Sequence, residues 1–155
     1  YCQELNPPNS WYDHPAIALC TFSFEDGSVL SLRGSWATKC ENTTSHGFWR
    51  VYCTDGTACW DGAERVWVSR AQPVPSAGYF EEEGVREEIP LSYAGREDHA
   101  GCVDDMLSAL NRGQTMMTDG RNNIHSLEMV YACIRSAETG RKCFLSPDAE
   151  AAAEK

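Results

Sequence analysis

Three Asp-Gly pairs, Asp26-Gly27, Asp55-Gly56 and Asp61-Gly62, fall between short runs rich in aromatic and apolar residues. Asp-Gly tolerates the positive φ of tight hairpin turns, so each pair predicts that its flanking runs are neighbouring antiparallel strands. The runs cover residues 16–24 and 29–36 around the first pair, then 47–54, 57–60 and 64–70 around the other two. Side chains alternate along a strand, so Leu30, Leu32 and Trp36 share one face while Ser31, Arg33 and Ser35 share the other. A short edge strand is expected at 85–90, after a loop over 72–84 that carries Pro73, Pro75 and the acidic run Glu81-Glu82-Glu83.

The periodicity then changes. His99, Cys102, Val103, Met106, Leu107 and Leu110 recur at helical spacing before Gly113. Ile124, Leu127, Val130, Tyr131 and Ile134 do so between the capping pair Thr118-Asp119 and the stop at Gly140. Residues 142–145 read as a last short strand, which Pro147 ends. Strands followed by helices predict the α+β class: an open, mainly antiparallel sheet with two C-terminal helices packed on one face. A chain of 155 residues suits one such domain, at 16–147. Residues 1–15, with Asn6-Pro7-Pro8-Asn9, read as an irregular connector, and 148–155 as a frayed tail. Because the chain begins at Tyr1, an upstream piece of the parent protein is expected.

Several strands are apolar on both sides. Phe48 and Tyr52 point one way and Trp49, Val51 and Cys53 the other; Val66 and Val68 oppose Trp67. Two helices cover one face only, so the second face is expected to meet another subunit, another domain or a substrate. A homo-oligomer through the sheet face follows as an expectation.

Thirteen Lys and Arg against 23 Asp and Glu leave a formal charge of −10, which repels nucleic acid and anionic membranes. No run approaches the ~18 apolar residues of a membrane span, and no signal-peptide pattern is visible. Eight cysteines (Cys2, Cys20, Cys40, Cys53, Cys59, Cys102, Cys133 and Cys143) raise the question of a disulfide framework. Cys20 falls inside a strand pattern, and Cys102 and Cys133 fall on helices, where free cysteine behaves as a small hydrophobe. Free thiols in a cytoplasmic protein are therefore expected. With no C-x-x-C pair, neither structural zinc nor thioredoxin-like exchange is expected. Asn42-Thr43-Thr44 is read as a chance glycosylation triplet.

In this setting the chain resembles the C-terminal domain of the Gfo/Idh/MocA oxidoreductases. The residues that carry the resemblance run in order from the hairpin around Asp26-Gly27, closing on Gly34-Ser35-Trp36, through Asp55-Gly56-Thr57 and Trp60-Asp61-Gly62. The final third continues it with His99, Asp105-Met106-Leu107, Ala109, Arg112-Gly113, Thr118-Asp119-Gly120, Ser126-Leu127, Val130, Ser136-Ala137 and Thr139-Gly140-Arg141. The resemblance implies an open sheet that packs in oligomers and helps form a substrate pocket beside a Rossmann domain. It implies NAD or NADP for the parent protein and a hydride transfer on a sugar or polyol-like carbon.

This chain has no G-x-G-x-x-G, so no cofactor is expected to bind to it. The family's Glu-Lys-Pro is absent, since Glu154-Lys155 has no proline after it, and no His has an Asp four positions earlier. No catalytic, cofactor-binding or metal-binding residue is assigned. The substrate-facing candidates are Trp36, His46, Trp49, Arg50, Tyr93 and His99. A sugar or polyol wants hydrogen-bonding side chains beside an aromatic platform, which His46, Arg50 and the two tryptophans could supply. The plainer readings are core or interface tryptophans, a solvated Arg, a loop His, a surface Tyr and a core His99. Arg96, Arg121 and His125 read as surface groups. A non-enzymatic binding or assembly module on the same sheet is the alternative function; a cysteine-based redox protein would need a thiol in a cationic pocket.

Overall fold

A computed structural model describes residues 1–73, 82–92 and 95–145. The chain divides into two compact units, Tyr1–Thr38 with Arg96–Lys155, and Lys39–Gly95. The class is α+β with open antiparallel sheets, and the strands are shared between two sheets, one in each unit.

The first unit holds β1 (Cys2–Leu5), β2 (Ile17–Ser23), β3 (Val29–Ser35), α1 (Asp98–Arg112) and α2 (Gly120–Thr139). The sheet order is β1-β2-β3. The β2–β3 hairpin closes at Asp26-Gly27, where the Asp26 carboxylate accepts from the Ser28 N–H at 2.9 Å and hydroxyl at 2.6 Å. Residues 2–5, expected to be irregular, form β1 instead. Their backbone groups are satisfied by pairing with β2, Cys2 opposite Cys20 and Leu5 opposite Ile17. Nothing in four residues of sequence announces such a partner.

Asp119 caps α2 by accepting from the Arg121 N–H at 2.8 Å, and Gly140 ends it in the left-handed conformation. Helix α2 packs against β1. The surface it buries is unlike the expected one. Ser136 is buried, while Met129, Ala132, Cys133 and Ala137 are half-buried. The bulky stripe Ile124, Leu127, Val130, Tyr131 and Ile134 stays exposed. Small side chains let the helix come close enough for the Ser136 hydroxyl to accept the Cys2 N–H at 2.9 Å. In α1, likewise, Ala109 is buried while Val103, Met106, Leu107 and Leu110 are exposed.

Residues 142–145 form no strand. They fold back along the end of α2, where the Arg141 carbonyl accepts from Ser136 Oγ at 2.6 Å and Cys143 Sγ from Arg135 Nε at 3.3 Å. Among the described residues they pair with no strand; the Ser136 hydroxyl stands between the Cys2 N–H of edge strand β1 and the Arg141 carbonyl.

The second unit holds β4 (Trp49–Cys53), β5 (Gly56–Trp60), β6 (Val66–Pro73) and β7 (Glu82–Ile89), in the order β4-β5-β6-β7. Strands β6 and β7 run further than expected, pairing through Pro73 opposite Glu82 in what reads by sequence as loop. Proline is tolerated there because the β5 register ends at Arg70, which leaves β6 an open edge on that side at Pro73. Acidic β7 is an edge strand, and its charges discourage further pairing. The tail at 148–155 lies outside the described residues.

The β5–β6 turn is built by Asp61, whose carboxylate accepts from the Ala63 and Arg65 N–H groups at 2.9 and 3.1 Å. These bonds hold its pKa below the usual carboxylate value. A depressed folded pKa contributes stability above the unfolded value, about 3.9, that is lost as pH falls through the folded one. Asp61→Asn is therefore expected to lower the urea midpoint at pH 7 and to approach the parent chain in strong acid. Urea titrations at both pH values check this, and an offset that does not change with pH contradicts it.

Candidate functional site

The register of the second sheet sorts its side chains. Trp49 lies opposite Trp60, and Trp60 opposite Val66, which lies opposite Ile89. Trp49, Val51, Trp60, Val66, Val68, Val85 and Ile89 therefore share one face, together with exposed Arg70 and Glu87. Arg50, Tyr52, Cys59, Trp67, Arg86 and Glu88 share the other.

On the first face, one end of the sheet carries an aromatic group. His46 stacks on Trp60 with ring centroids 5.8 Å apart and planes at 28°. Trp49 Nε1 donates to the His46 carbonyl at 2.8 Å, and Trp60 Nε1 donates to the Ala63 carbonyl at 3.0 Å. Both indole edges thus hold the neighbouring loops, which leaves ring faces as the contact surface. Thr44 Oγ1 donates to the Gly62 carbonyl at 2.8 Å and ties the His46 loop to the β5–β6 turn. Gly62 has φ +80°, and a Cβ there would stand 2.0 Å from the Gly47 carbonyl oxygen, so the junction requires glycine.

The opposite face is cationic and aromatic. The Arg50 guanidinium lies 5.7 Å from the Phe48 centroid, and Phe48 packs on Trp67 at 5.9 Å. Arg86 covers Trp67 at 4.2 Å, within the range of cation–π attraction. Glu88 accepts from Arg65 at 2.8 Å and from Arg86 at 2.6 Å. The bond from Arg65, then that from Arg86, holds the Glu88 carboxyl below its ordinary value.

The six candidates are thus dispersed. His46 and Trp49 come together with Trp60, a partner that sequence reasoning placed only in a strand. A turn at Asp55-Gly56, as the sequence reads, sets Trp60 opposite Val51; the structure turns one residue earlier, at Thr54-Asp55, and so brings Trp60 opposite Trp49. Arg50 belongs to the other face of the same sheet. Trp36 follows β3 in the first unit and is 82% exposed. His99 sits in the first turn of α1, exposed rather than in a core, because the stripe it belongs to is itself uncovered. Tyr93 lies outside the described residues. All eight cysteines are free thiols, and one group of them, Cys2, Cys20 and Cys133, lies within metal-binding reach. Among the described residues no helix is long and apolar enough to cross a membrane. Shallow grooves of about 310 and 500 Å³ lie over the open face of β1–β3 and at the end of α2. No family model, curated protein or solved structure matches the chain.

Proposed function

We propose that this chain is the substrate-binding and oligomerisation domain of a cytoplasmic NAD(P)-dependent oxidoreductase of the Gfo/Idh/MocA type. Its substrate is a sugar or polyol-like molecule, and a separate Rossmann domain brings the cofactor. The observation that carries this reading is the pair of uncovered helical stripes. Nine bulky side chains of α1 and α2, Val103 to Leu110 and Ile124 to Ile134, stand 37–64% exposed. Burying a side chain of this class fully contributes about 1.5–3 kcal/mol, so leaving nine in water forfeits as much as a domain's whole margin of roughly 5–15 kcal/mol. Such stripes call for a further body, and in this reading that body is the cofactor domain. The ordered residues from Asp26-Gly27 to Arg141 support the family. The His46, Trp49 and Trp60 rings supply an apolar platform of the kind that a pyranose or polyol stacks upon.

The cofactor carries the redox chemistry, while this chain's residues bind and orient the carbon that loses hydride. The test is the intact reading frame, assayed for nicotinamide reduction with a panel of sugars and polyols. His46→Ala and Trp60→Ala should each raise KM at least about tenfold, the loss of one or two contacts worth ~1.4 kcal/mol each. The present chain alone should bind neither NAD(H) nor NADP(H) at micromolar concentration in calorimetry. An intact protein that binds neither nucleotide, or micromolar binding by this chain alone, would overturn the reading.

A further inference from the structure

The first unit contains a cluster that the proposed function does not use. Cys2 and Cys20 occupy directly opposed positions of β1 and β2, so their side chains leave the sheet on the same face. Cys133 comes from α2, the helix packed against β1. It lies three residues before Ser136, on the same side of the helix as the hydroxyl that accepts the Cys2 N–H. The Sγ atoms of Cys2 and Cys20 are 3.2 Å apart, and all three Sγ atoms lie within 4.8 Å of one another. Cys2 and Cys20 are buried and Cys133 is half-buried. Two strands and a helix therefore aim three sulfurs at one point.

We propose that Cys2, Cys20 and Cys133 form a three-thiolate site for a thiophilic divalent d¹⁰ cation, with Zn(II) as the natural occupant. Zinc–thiolate bonds of about 2.3 Å place three sulfurs about 4 Å apart, so sulfur shifts of under about 1 Å complete the site. Thiolate ligands select soft cations over Mg(II) or Ca(II). A divalent ion on three thiolates leaves one negative charge in a partly buried place, whereas Cu(I) leaves two, and uncompensated buried charge is costly. Loading converts three thiols and M(II) into a tris-thiolate complex and releases three protons to solvent. No other His, Cys, Asp or Glu among the described residues joins the group, so a fourth position is left on the side where Cys133 is half-exposed.

The whole chain, kept reduced by a phosphine, is titrated with Cd(II) as a spectroscopic probe, and Zn(II) is then added as competitor. The thiolate-to-cadmium charge-transfer band should saturate at one equivalent and be displaced by Zn(II). Cys2→Ser, Cys20→Ser and Cys133→Ser should each weaken binding at least tenfold, while Cys40→Ser and Cys102→Ser, at exposed positions, should not. Should a buried variant fail to fold, alkylation of the unaltered chain decides. One equivalent of Zn(II) should protect the peptides holding Cys2, Cys20 and Cys133 and leave that holding Cys40 reactive. A band that persists in all three variants, or alkylation of Cys133 unchanged by Zn(II), would show the cluster to be only a packed group of neutral thiols.

Discussion

Replacing Ser136 with alanine is expected to destabilise the chain by about 2–4 kcal/mol, more than any other loss of one oxygen atom here. Ser136 is 1% exposed and its hydroxyl works in both directions. It accepts the N–H of Cys2 at 2.9 Å and donates to the Arg141 carbonyl at 2.6 Å. Alanine fits the space but leaves a buried N–H and a carbonyl without that partner, and each such group costs about 1–3 kcal/mol. The hydroxyl also joins the first strand to the last helix, 134 residues away in sequence, and to the segment that follows that helix. Ser126→Ala on the same helix is the control, since Ser126 is exposed and should change stability by less than about 0.5 kcal/mol. Urea unfolding of the two variants makes the comparison, and equal small effects would mean that the 136 site admits water.

The second large effect is on assembly. The chain is expected to form a two-fold dimer at micromolar concentration through the apolar face of β4–β7. Val51 and Val85 stand 51–58% exposed there beside half-buried Val68, away from the His46, Trp49 and Trp60 end proposed to hold substrate, and exposed Arg70 and Glu87 share the face. The other face of that sheet is occupied by its own arginine, aromatic and glutamate contacts, so the apolar face is the one that seeks a partner. A two-fold axis counts every substitution twice. Val51→Lys removes about 1.5 kcal/mol or more of burial from each copy and should weaken the dimer by about 100-fold. A net charge of −10 opposes association, so added salt should tighten it, screening charges beyond about 8–10 Å. Leu127→Lys, on the exposed stripe of α2, should leave the dimer intact and impair docking of the proposed cofactor domain. Light scattering of the parent chain and the two variants reads the dimer, nicotinamide reduction by the intact protein carrying Leu127→Lys reads the docking, and a parent chain that is monomeric at micromolar concentration would show that this face has another role.

Local rules sufficed for much of the fold. The Asp-Gly pairs marked the hairpins around Asp26, Asp55 and Asp61 because positive φ at a turn is a property of one or two residues. Asp119 and Gly140 marked the ends of α2 because capping is settled within a single helical turn. Alternation correctly set Trp49 and Val51 against Tyr52, and Val66 and Val68 against Trp67. The division of the strands over two sheets was not legible in the same way, since pairing is chosen between segments and not within them. Strand β1 exists because β2 offers it an edge, while the groups at 141–143 bond to side chains of α2 instead of to a strand. Which side of α2 meets β1 was decided by close approach. Small Ala132, Ser136 and Ala137 admit the backbone of β1, and the more hydrophobic stripe is left outward. The Trp49 and Trp60 pair depended on the turn falling at Thr54-Asp55 instead of Asp55-Gly56, and the meeting of Cys2, Cys20 and Cys133 could not be read from spacing at all. Those three sulfurs come from positions separated by up to 131 residues, and only the packing of a helix on a sheet brings them within 4.8 Å of one another.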